Sequence, residues 1–147
     1  MNRLKKIKLL KEQAETLGLE NREIIGKYNM RELCSIYNGI GPDAFPGWLR
    51  EFISALHPSL EVVAFIHDIE WHESDGSQEK FHESNDRFLT NGRIAAKARF
   101  GWWHPQRYLV TGQARRFSRL CRLFGWKAWI TPCACAVCRK KYAQAGE

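Results

Sequence analysis

At 147 residues, 44% of them hydrophobic and 12% aromatic, the chain has the size and apolar content of one packed domain and not of a disordered segment. No apolar run approaches the length of a membrane span, and the basic N-terminus lacks the apolar stretch and cleavage site of a secretory signal, so neither is expected. The net charge of +7 is unevenly spread: residues 61–86 hold eight acids and one base, whereas residues 93–147 hold twelve bases and one acid. The basic half should seek an anionic surface, whether lipid head groups, nucleic acid or an acidic partner. Five unevenly placed cysteines make a poor disulfide framework, which points to a reducing compartment or to a non-structural role for the thiols.

In chain order, residues 2–17 read as a basic helix with Leu4, Ile7, Leu10, Ala14 and Leu17 as its apolar stripe and Gly18 as its C-cap. Such a helix anchors at a membrane surface or packs with a solvated lysine face. Residues 21–28 allow a short helix. Asn29 with Glu32 forms a capping-box pattern that starts another. The stretch Asn38-Gly39-Ile40-Gly41-Pro42-Asp43-Ala44-Phe45-Pro46-Gly47 is the clearest loop. Its backbone carbonyls, Ile40 among them, and the Asp43 carboxylate suit a hard cation; a plain connector has the same composition. Trp48, Phe52 and Leu56 line one face of the helix that follows, and His57 is expected at the surface.

Two helical stretches come next. Val62-Val63-Ala64-Phe65-Ile66-His67-Asp68-Ile69-Glu70-Trp71-His72 is apolar over its first five residues and ionisable towards its end. Beyond a turn at 74–78, residues 80–89 carry His82 and Asp86 on one face, and the helix ends at Gly92 or runs on to Phe100. Antiparallel packing of the two lets Asp86 approach His67, the arrangement that makes an imidazole a general base. Asp68 is then free to hold a cation. Residues 106–124 form the most regular amphipathic segment. Val110, Ala114, Phe117, Cys121 and Phe124 lie on its apolar face, Arg115, Arg119 and Arg122 elsewhere, with Trp102, Trp103, Trp126 and Trp129 flanking. Aromatics bracketing a basic helix suit a lipid interface, and equally a helix that covers the core. Cys133, Cys135 and Cys138 precede Arg139-Lys140-Lys141. They could hold zinc with Cys121 or His104, carry an acyl chain, or stay unmodified on a tail.

Taken together, Gly41-Pro42-Asp43 with Phe45-Pro46, Ala64-Phe65-Ile66-His67-Asp68, and Asn85-Asp86-Arg87-Phe88-Leu89 resemble the phospholipase A2 superfamily, most closely its compact prokaryotic and phage-encoded branch. The likeness covers residues 37–90. It implies an all-α fold with two antiparallel helices carrying a His-Asp/Asp site, a Gly/Pro metal-binding loop before them, and added N- and C-terminal helices. The helical domain would span 1–130, with a Cys/Lys-rich tail at 131–147. By the same likeness His67 is the general base and Asp86 its orienting acid. Asp68, Asp43 and the Ile40 carbonyl bind calcium, and the reaction is hydrolysis of phospholipid esters at a membrane surface. Trp48, Trp71, Trp102, Trp103, Arg115 and Arg119 are the expected interface residues, and an anionic phospholipid surface is the expected partner. The location would be cytoplasmic or virion-associated, peripheral to a membrane. Two positions depart from the family: Ala64 stands where it has Cys, and Trp71 where it has Tyr. These departures motivate a non-catalytic structural or membrane-docking protein on the same scaffold. A nucleic-acid-binding module built on residues 93–141 is a third reading. A different metal site drawing on His67, His72, His82 and Asp86 is also open.

Overall fold

The computed structural model describes residues 2–37 and 47–130, and every regular element among them is helical. Helix α1 (Arg3–Leu17) starts where the Asn2 side chain accepts the Leu4 amide and stops at Gly18, whose φ of 61° is the left-handed cap that glycine adopts without strain. Ile7, Leu10 and Ala14 face the core, while Leu4 is 47% exposed and drops out of the expected stripe. A 3-10 helix (Arg22–Lys27) takes the place of the short helix expected at 21–28, entered through Asn21 at φ 59°. Helix α2 (Met30–Ile36) has the capping box expected of Asn29 and Glu32, each side chain bonding the other's backbone amide.

Helix α3 (Gly47–Ser54) leads through a 3-10 turn (Pro58–Leu60) into α4 (Glu61–His72). Seven of the twelve residues of α4 are buried, including His67 and Glu70. A helix apolar on most of its circumference must run through the interior, and α4 is the element the others surround. Helix α5 (Gln78–Arg99) continues through Gly92 for 22 residues. Helix α6 (Pro105–Phe124) begins with His104 as N-cap and Pro105 in the first turn, where a missing amide costs nothing. Helix α7 (Trp126–Ile130) is tied back to the α4–α5 turn: Ser74 Oγ donates to the Trp129 carbonyl at 2.8 Å, and Trp129 Nε1 to that of Ser77 at 3.0 Å. No described helix is long and apolar enough to cross a membrane.

The closest helix pair is α5 with α6. A Cβ built at Gly92 would lie 2.5 Å from Ala114 Cβ, so the two backbones meet where both side chains are minimal. One turn away, Phe88 and Phe117 stack with centroids 3.9 Å apart. One core cluster joins α1, α2, α4, α5, α6 and α7, from Ile7 to Ala128. Val110, Ala114, Phe117 and Cys121 of α6 belong to it, but Phe124 is half exposed because α6 ends there and turns into α7. Gly112, on the open side of α6, has nothing within 4 Å of a built Cβ. Gly112→Ala should therefore stabilise the protein by about 0.5–1 kcal/mol through helix propensity. Gly92→Ala should destabilise it by about 1–3 kcal/mol, because the methyl wedges α5 from α6. Urea unfolding of both variants checks the opposite signs.

Candidate functional site

His67 sits mid-way along α4 with its ring enclosed by Trp71, Phe88 and Phe117, centroids 5.0, 5.3 and 5.2 Å away. Its Nε2 lies 3.2 Å from Asn85 Oδ1 on α5. The Asn85 amide is oriented by its own Nδ2, which donates to the Phe81 carbonyl at 2.9 Å. Oδ1 is thus the atom left to face the histidine, and Nε2 must carry the proton. Nδ1 then holds the lone pair, and it makes no hydrogen bond among the described residues. Burial pushes the His67 pKa down to about 4, opposed only by the bond to Asn85. At neutral pH the ring is an uncharged, tautomer-locked imidazole.

Helices α4 and α5 run antiparallel as expected, yet Asp86 does not meet His67. Adjacent residues on a helix point about 100° apart, and Asn85 takes the inward direction. The Asp86 carboxylate faces outward, 65% exposed, and pairs with Arg122 of α6. His67 is therefore held by a neutral amide, which orients the ring but supplies no negative charge to an imidazolium.

Asp68 is half-buried and has no hydrogen-bond or ion-pair partner among the described residues. Desolvation alone pushes its carboxyl up to about 7. Burial raises the Tyr37 hydroxyl and the Cys121 thiol, and the nearby Asp68 charge adds to both. Tyr37 is the last described residue before 47, and Ile40 and Asp43 fall outside the described residues. So do Cys133, Cys135 and Cys138. Asp68 fits a cation ligand on its own chemistry, because a positive charge beside it would offset the cost of its ionised form. Among the described residues no three His, Cys, Asp or Glu side chains converge to hold a metal, so His67, His72, His82 and Asp86 share no site. Cys121 is buried beside Phe117 in the core with its thiol pushed up, and His104 serves as a helix cap.

A second buried polar group escaped the sequence reading. Glu70, one turn beyond His67, accepts from Asn21 Nδ2 at 2.6 Å and Ser84 Oγ at 2.8 Å, and pairs with Arg87. Burial raises its pKa and these three partners oppose the rise. The cluster joins the strained Asn21 turn to α4 and α5. An acid inside an otherwise apolar helix face, with Ser84 and Arg87 one turn apart on the next helix, was the available signal.

The expected interface residues separate into two kinds. Trp71 packs inside, against Trp129, Phe81 and His67. Trp48 is 48% exposed and meets Phe124 edge to face. Trp102 and Trp103 stand 71% and 70% exposed at the α5–α6 corner, and Tyr108 Oη donates to the Trp102 carbonyl at 2.8 Å. Arg115 and Arg119 share the outer face of α6 with Arg116, Tyr108, Leu109 and Leu123, all exposed. Comparison with known proteins gives no match: no family model, no curated protein and no solved structure.

His67 and Asp68 give opposite pH dependences. Between the ordinary histidine range and about pH 4, the unfolded chain binds a proton that folded His67 does not, so stability falls with acidity. Between the ordinary carboxylate range and about pH 7, folded Asp68 keeps a proton that the unfolded chain has lost, so stability falls as pH rises. Asp68→Asn should thus be more stable than wild type at pH 7. The gap should close towards pH 4 by at most about 1.4 kcal/mol per pH unit. Chemical denaturation across that range checks it; a gap that widens with acidity contradicts it.

Proposed function

We propose that the protein docks on anionic phospholipid surfaces through the outer face of α6 and the aromatic corner before it. The observation that carries this reading is one exposed face bearing Arg115, Arg116 and Arg119 between apolar ends, Tyr108 and Leu109 at one and Leu123 at the other. The three arginines make no ion pair among the described residues, and residues 93–130 contain no acid. Lipid head groups complement the arginines, while Trp102, Trp103 and the leucines reach the acyl boundary. Duplex DNA would satisfy the arginines but leave the exposed tryptophans and leucines without a role. Arg115→Ala/Arg116→Ala/Arg119→Ala should weaken binding to phosphatidylserine-containing vesicles by about 3 kcal/mol at low salt. Trp102→Ala/Trp103→Ala should weaken it at high salt as well. Tight duplex DNA binding, with vesicle binding indifferent to the tryptophans, would sink the proposal.

A second reading, a calcium-dependent phospholipase A2-like hydrolase on this scaffold, is favoured by the lone pair on His67 Nδ1 and by the half-buried Asp68 carboxylate, which has no partner among the described residues. In it His67 Nδ1 takes the proton of the attacking water and Asn85 holds the ring. Asp68, with Asp43 and the Ile40 carbonyl, would hold calcium, whose contribution is to polarise the ester carbonyl. Asp86, paired with Arg122, serves the outer surface. Fatty-acid release from mixed anionic vesicles decides between the readings. Release abolished by chelator and by His67→Ala supports hydrolysis, and vesicle binding without release supports docking alone.

A further inference from the structure

A groove runs along α1 where it lies against the start of α4 and the second half of α5. It encloses about 460 Å³, within the range of pockets that take small ligands. Its origin is in the sequence: α5 presents Ala95 and Ala98 there, side chains too short to fill the space up to α1. Buried Val62 and Ala95 form the floor, and Leu9 and Leu17 of α1 the wall. Leu9 stands 42% exposed, so the wall offers apolar surface to whatever enters. Asn91 ties α5 to the chain just beyond α1, accepting the Glu20 amide on Oδ1 at 2.7 Å and donating to the Glu20 carbonyl at 3.1 Å. Arg99 stands about two turns further along α5, beside the Pro58–Leu60 turn.

We propose that this groove binds one single-chain aliphatic carboxylate, with its head on Arg99 and its chain along Val62, Ala95 and Leu17. Arg99 Nη1 donates to Ser59 Oγ at 3.3 Å, and the guanidinium lies 5.9 Å from the centre of the Phe100 ring. These two contacts hold the guanidinium in place, and its other donors make no bond among the described residues. A planar fork held in this way takes a carboxylate through two parallel hydrogen bonds. The apolar lining beyond it takes an alkyl chain, whose removal from water drives binding. Glu12, the one acid of the lining, selects the head group. A carboxylate brings a single negative charge near it and a phosphate monoester close to two, so the carboxylate is repelled less. None of Arg115, Arg116 and Arg119 lines the groove, and the inference does not depend on the docking reading.

The test titrates the full-length protein with dodecanoate, below its micelle concentration, and follows backbone amide shifts. Saturable binding should move the amides of Leu17, Val62, Ala95 and Arg99. Arg99→Gln should weaken it roughly tenfold or more, and Glu12→Gln should not weaken it. Ala98→Leu, on the exposed side of α5, should fill the trough and weaken it by a similar factor. Each methylene removed from the chain should lower affinity by up to about fourfold. Arg115→Ala/Arg116→Ala/Arg119→Ala should bind dodecanoate as the wild type does. No saturable binding, equal affinity in Arg99→Gln, or dodecyltrimethylammonium bound as tightly as dodecanoate overturns the proposal. Loss of binding in the triple-arginine variant overturns it too, because the amphiphile then sits on the outer face of α6. If dodecanoate binds in the groove while vesicles do not bind at all, the docking reading fails and the groove assignment stands.

Discussion

Helix α6 lies close against α5, because Gly92 faces Ala114 with only the alanine methyl between the backbones. That approach uses one side of α6 completely. Val110, Ala114, Phe117, Ser118 and Cys121 are buried in it, and every arginine from 115 to 122 is left on the outside. The basic face is thus a consequence of the core: a narrow, small-residue seam on the inside forces charge and surplus apolar side chains outward. The same seam stacks Phe117 on Phe88 and closes the aromatic walls around His67.

The buried polar groups follow from that closure. Inside aromatic walls a charged imidazole is penalised, and an amide partner satisfies the neutral ring without adding charge. His67 with Asn85, and Glu70 with Asn21, Ser84 and Arg87, are both paired solutions on neighbouring turns of α4. Asp68 is the departure from this pattern. A half-buried carboxylate without a partner among the described residues lowers stability at neutral pH, and groups kept at such a cost cluster at functional sites. The tension between a structural His67 and a poised Asp68 separates pure docking from catalysis.

Much of the helical architecture was legible in the sequence, because caps and periodicity are local. The Asn29–Glu32 box, the Gly18 cap and the inner face of α6 up to Cys121 follow from spacing alone. What failed was direction around a helix. Asn85 and Asp86 are neighbours in the chain, and choosing which one faces His67 needs the register of α5 against α4, set by distant contacts such as Gly92 on Ala114. Periodicity also placed Phe124 inside, since it does not register where a helix ends, and it does not show that the partly exposed His57 caps the next turn. Glu70 was hidden because its partners come from two other elements, the Asn21 turn and α5.

The central claim is that the α5–α6 corner enters lipid with the arginine face behind it. The most direct measurement is quenching of tryptophan fluorescence by brominated phosphatidylserine vesicles, with wild type beside Trp102→Phe/Trp103→Phe. The account predicts strong quenching in the wild type that is clearly reduced in the variant, because Trp71 and Trp129 stay in the core and only Trp48 and Trp126 keep partial exposure elsewhere. Quenching that is absent from the wild type, or unchanged in the variant, would contradict it.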